Sequence, residues 1–71
     1  MLNKSEERLY KILKDYVLNK EKNPHYKEVE KIALRRFKVK WGKQYIWQVT
    51  ESLKRKEAIF VGEAPLIKFN L

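Results

Sequence analysis

The chain has 71 residues, with 17 Lys and Arg against nine Asp and Glu, a net charge of +8 and no cysteine. A single domain of this size buries only about 60% of its unfolded surface, which leaves little room for a catalytic cleft beside the core. With no cysteine and one histidine, His25, disulfides, thiol chemistry and Cys- or His-cluster metal sites are excluded.

Hydrophobic residues make up 44% of the chain, enough for a globular fold despite the charge. No apolar run approaches the roughly 18 residues of a membrane span. The N-terminal MLNKSEERLY lacks a signal-peptide apolar core, so a cytoplasmic location is expected.

Over 5–19, Leu9, Ile12, Leu13, Tyr16 and Val17 recur at helical spacing and predict a first helix. Ser5 is its expected N-cap, with Glu6 and Glu7 at the positive end of the dipole and Glu7–Lys11 as an i, i+4 pair. Residues 20–25 form a polar connector, in which Pro24 turns Asn23 away from helical geometry. Over 26–37, Tyr26, Val29, Ile32, Ala33 and Phe37 mark one face of a second helix, acidic early and basic late.

Residues 38–42, KVKWG, break the pattern as a short turn, with Val39 as an inward anchor and Gly42 allowing a helix start. Over 43–56, Ile46, Val49 and Leu53 give a narrow apolar stripe. Gln44, Gln48, Glu51 and Arg55 fall opposite, with Trp47 on the shoulder. Two β-rich runs, Ala58–Val61 and Leu66–Asn70, flank Gly62-Glu63-Ala64-Pro65 and predict a hairpin with a four-residue loop. The expected architecture is one domain, 1–71, mainly α with a small β-hairpin.

Charge is unevenly distributed along this pattern. Lys31 to Lys56 hold nine bases and one acid, Glu51, whereas the other 45 residues hold eight of each. An excess confined to one third of the chain is the footprint of an anionic partner. Trp41, Gln44, Tyr45, Trp47 and Gln48 are interleaved with the bases. Amides read base edges and cations pair with phosphates, so this stretch is the candidate nucleic-acid contact.

The order of helix, connector, helix, short turn, helix and hairpin resembles the winged helix-turn-helix DNA-binding domains over about residues 5–71. VEKIALRRFKVK carries the likeness for the supporting helix and turn. IWQVTESLKRKEAIFV carries it for a recognition helix that runs through a charged tail into the first wing strand. The chain is also similar to small Lys-rich, Cys-free regulators carried by archaea and their viruses or plasmids. Two features depart from the family pattern. The turn from Phe37 to Trp41 lacks the glycine often found there, and the wing tip carries an acid and no base.

The resemblance implies a transcriptional regulator that places its third helix in the major groove of double-stranded DNA. Lys43, Gln44, Trp47 and Gln48 are the expected base-reading residues. Arg35, Arg36, Lys38, Lys40, Lys54, Arg55 and Lys68 are the expected phosphate contacts. A homodimer is expected from family habit, with the first helix or the C-terminal strand as interface and Leu2, Phe69 and Leu71 as spare apolar residues.

Each assignment has a plainer reading. Trp41 is read as structural, packing beside the turn, and Trp47 is balanced between DNA contact and an interface or core role. Gln44 and Gln48 are solvated helix formers if no DNA binds, and Arg35 and Arg36 then only complement a helix end. Two other functions compete with specific regulation: nonspecific chromatin binding, and protein assembly through Trp47 and Phe60. No Gly-rich phosphate loop, paired carboxylates or nucleophile–base spacing suggests an enzyme, a cofactor or a small-molecule ligand.

Overall fold

The computed structural model describes residues 1–61 and 66–70. The expected loop and wing tip, Gly62 to Pro65, and Leu71 lie outside the described residues. Three helices, α1 (Lys4–Lys20), α2 (Tyr26–Phe37) and α3 (Lys43–Arg55), precede two short strands, β1 (Ile59–Phe60) and β2 (Lys68–Phe69). The strands pair antiparallel, with Ile59 opposite Phe69 and Phe60 opposite Lys68.

Asn3, not Ser5, caps α1. Its side chain accepts from Glu6 N at 2.8 Å, and Glu6 Oε1 accepts from Asn3 N at 2.8 Å. This reciprocal capping box satisfies two of the helix's orphan donors. Ser5 sits one position inside the helix, where its hydroxyl shares a 2.6 Å hydrogen bond with Tyr45 Oη of α3. Among the described residues, Glu7 and Lys11 do not form the expected pair. His25 caps α2, with Nδ1 accepting from Lys27 N at 3.3 Å.

Helix α2 ends at Lys38, which takes a left-handed φ of 58° and donates its N–H to Leu34 O at 3.1 Å. A lysine thus occupies the conformation that glycine usually supplies at a helix C-terminus. This is how the turn closes without a glycine.

The core is built where the three apolar stripes meet. Leu9, Ile12, Leu13, Val29, Ala33, Ile46, Val49 and Leu53 are buried together with Trp41 and Ile59. Each large aliphatic side chain among them contributes about 1.5–3 kcal/mol through burial. Val39 packs partly buried against this core, as the turn pattern predicts. Leu2 and Phe69, expected as spare apolar residues, also pack there. Phe69 meets Tyr10 edge-on at 5.5 Å, which holds the hairpin to α1.

Candidate nucleic-acid interface

Helix α3 buries Ile46, Val49 and Leu53 against the other helices. At 3.6 residues per turn, the opposite line carries Gln44, Glu51 and Arg55, with Gln48 on one side and Trp47 on the other. Gln44, Gln48 and Arg55 are exposed, and Trp47 is 59% exposed. Neither glutamine amide is engaged in a hydrogen bond among the described residues, so both are free to meet a partner. Exposed amides of this kind are able to hydrogen-bond a base edge.

The four base-reading candidates do not form one row. Lys43 and Trp47 turn toward a groove of about 300 Å³ that Tyr26 and Ile67 also line. Lys43 Nζ lies 5.1 Å from the centre of the Tyr26 ring, a cation–π contact that orients the ammonium beside the start of α3. Trp41 is 8% exposed and packs 5.8 Å from the Tyr45 ring. Its structural reading therefore holds.

Gly42 is the N-cap of α3. No side chain caps the helix there, and its first turn holds no acid. A Cβ added at Gly42 would meet nothing within 4 Å, so the start of α3 has room beside it, and Lys40 and Gly42 border the same surface groove. An uncapped helix start carries partial positive charge and suits an anion. The sequence offers this feature only as a glycine where Ser, Thr, Asp or Asn is usual.

The cationic stretch divides into separate groups. Arg36 is tied to Asp15 of α1 at 2.8 Å, Lys54 to Glu51 at 2.7 Å, and Lys56 to Glu6 at 2.7 Å. The other six of its nine cations, Lys31, Arg35, Lys38, Lys40, Lys43 and Arg55, have no acidic partner among the described residues. Arg35 and Arg36 line a groove between α1 and α2 to which α3 contributes nothing. They are thus not brought beside Gln44 and Gln48. Lys40 lies next to Gly42 and Trp41 at the start of α3. Lys68 is exposed on β2, opposite Phe60.

Lys56 belongs to a structural clamp that sequence spacing does not reveal. Glu6 is buried at 1% exposure. Its carboxylate accepts from Asn3 N, from Lys56 Nζ at 2.7 Å and from Ser52 Oγ. Burial pushes this carboxyl up. The hydrogen bonds from Lys56, Ser52 and Asn3, with the charge of Lys56, outweigh burial and hold the pKa at about 2. The start of α1 is thereby locked to the end of α3, which fixes the tilt of the helix that carries the glutamines.

Among the described residues there is no group of His, Cys, Asp and Glu able to hold a metal ion, and no helix is long and apolar enough to cross a membrane. Comparison of the chain with protein-family models, with curated proteins and with solved structures finds no match in any of the three.

Proposed function

We propose that the protein is a sequence-specific double-stranded DNA-binding protein of winged helix-turn-helix type, acting as a transcriptional regulator. In this reading α3 enters the major groove. The observation that carries it is the outward face of α3, where Gln44 and Gln48 are exposed and unbonded. Each amide is suited to pair with adenine through two hydrogen bonds, worth roughly 1–3 kcal/mol of discrimination against the wrong base. Lys40, Lys43 and the uncapped start of α3 supply phosphate contacts near one end of the helix, and Arg55 supplies one near the other. Lys38 and Lys68 add cationic reach from the turn and the hairpin. Trp47 offers a flat apolar surface to sugar or base.

Glu51 lies on this same face, and its pairing with Lys54 at 2.7 Å lowers the repulsion that an acid would otherwise present to phosphate. A nonspecific binder needs the cations but has no use for two free amides on the outward face of the helix. Assembly with another protein is the reading favoured by exposed Trp47, Phe60 and Val61, and it predicts no affinity for DNA.

Selection of bound sequences from a random duplex pool tests the proposal. The expected result is an enriched motif, lost when Gln44 and Gln48 are both replaced by Ala, with nonspecific affinity largely kept. An equal loss on every sequence would move the protein to the nonspecific class. No binding to duplex at low salt would remove DNA as the partner.

A further inference from the structure

The groove between α1 and α2 is a second cationic concavity, of about 470 Å³. Lys20, Lys31, Arg35 and Arg36 line it, together with Asp15 and Glu28. Arg36 neutralises Asp15 at 2.8 Å. Lys20, Lys31 and Arg35 have no acidic partner among the described residues, so Glu28 alone opposes three uncommitted cations.

Its direction matters as much as its charge. Each of the three helices packs on both of the others, so the groove between any two opens away from the third. The α1–α2 groove therefore faces away from α3, across a bundle with principal extents of 31 × 27 × 20 Å. Lys31 also borders Lys40 and Gly42 at the start of α3, but a duplex seated on the outward face of α3 leaves Lys20, Arg35 and Arg36 in solvent. A single DNA contact through α3 gives them nothing to do.

We propose that this groove takes the phosphate backbone of a second duplex segment, so that one protomer bridges two segments of DNA. The inference rests on reading α3 as the first DNA-binding face. The four cations are all exposed side chains, and no enclosed donor set marks a pocket for one small anion. A row of mobile cationic tips suits a polymer with closely spaced phosphates, and it does so without reading sequence. The second segment is therefore held nonspecifically and more weakly than the first. With three uncommitted cations, the salt slope of the second step is about −3 in log K against log salt.

The test uses two short duplexes, one labelled with a donor and one with an acceptor, mixed with the intact chain at about 50 mM salt, where phosphate contacts are strong. Native mass spectrometry reports the stoichiometry alongside energy transfer. The wild-type chain is expected to give energy transfer and a complex of one protein with two duplexes. Lys20→Glu with Arg35→Glu should keep the one-to-one complex and lower transfer at least tenfold. Lys4→Glu with Lys11→Glu, an equal charge change outside the groove, should leave transfer within about twofold of wild type.

Transfer that survives the groove variant overturns the inference, because two protomers joined through their own interface would then be doing the bridging. Equal loss in both variants overturns it as well, since net charge alone would be responsible. A wild-type chain that binds one duplex and never two sinks the bridging inference and leaves the α3 reading standing. A chain that binds no duplex sinks both.

Discussion

Replacing Glu6 with Gln isolates the clamp between α1 and α3. In the folded chain the carboxyl titrates at about 2, against an ordinary 4.5. At about 1.4 kcal/mol per pH unit, that difference is worth about 3 kcal/mol. Lys56 is 41% exposed in its side chain, so solvent screening brings the figure to the order of 2–3 kcal/mol. The folded-state pKa is depressed, so this stability is fully present above about pH 5. It is lost as the pH falls toward 2, because the unfolded chain takes up the proton first. A domain of this length has roughly 4–10 kcal/mol in total, so the clamp is a large share. Urea unfolding followed by tryptophan fluorescence at a series of pH values between 7 and 2 measures it. Wild type should lose stability steeply between pH 5 and 2, whereas Glu6→Gln should be weaker at pH 7 and much flatter in acid. The gap between the two should narrow by about 2–3 kcal/mol across that window. Parallel curves would refute the argument, because the loss would then come from packing alone.

Four further outcomes follow from particular contacts. Trp41→Ala should cost about 3–5 kcal/mol in denaturant unfolding, enough to leave the domain barely folded. Trp47→Ala should stay within about 0.5 kcal/mol of wild type and weaken duplex binding in a fluorescence-anisotropy titration. Glu21→Gly, at a left-handed C-cap with φ 55°, should raise stability by about 0.5–1 kcal/mol in urea unfolding, since glycine removes the steric cost of that conformation. Glu51→Gln should tighten duplex binding and steepen its salt slope by about 1, because it removes an acid from the face and frees Lys54.

The helices were legible because each carries an apolar stripe at unbroken helical spacing, and a stripe of that kind has to be buried. The break at KVKWG was equally plain, since helical spacing stops there and Gly42 follows, but Trp41 proves the deeper anchor and Val39 packs only partly buried beside it. The cap of α1 was misread: Asn3-Lys4-Ser5-Glu6 has capping-box spacing, but Ser5 beside two glutamates is the stronger lure. At one end the strand pairing stops because Ile67 N donates to Asn23 Oδ1 of the connector at 2.8 Å. At the other, Asn70 N donates to Ala58 O at 2.9 Å and carries the contact one step beyond the two strands. Contacts between residues far apart in the chain leave no spacing signal. Glu6 and Lys56, or Ser5 and Tyr45, look like ordinary surface polar residues until the helices are assembled.

The candidate site shows the same division. Its chemistry was legible, since amides opposite an apolar stripe on a basic helix fall outward on any helical projection. Its charge was not, because a linear count treats every lysine as available. Folding commits Lys56 to a buried carboxylate, Arg36 to α1 and Lys54 to Glu51. The six cations left in that stretch contribute a slope of roughly −5 in log K against log salt if all of them meet one duplex, and Lys68 of the hairpin adds about −1. Arg35 lines the groove away from α3, so a chain that docks only through α3 should fall short of that sum. Lys40→Gln should then lower the slope by about 1, whereas Lys56→Gln should leave it unchanged and weaken the fold. A slope that responds equally to both would mean that affinity follows net charge rather than the surface presented by α3.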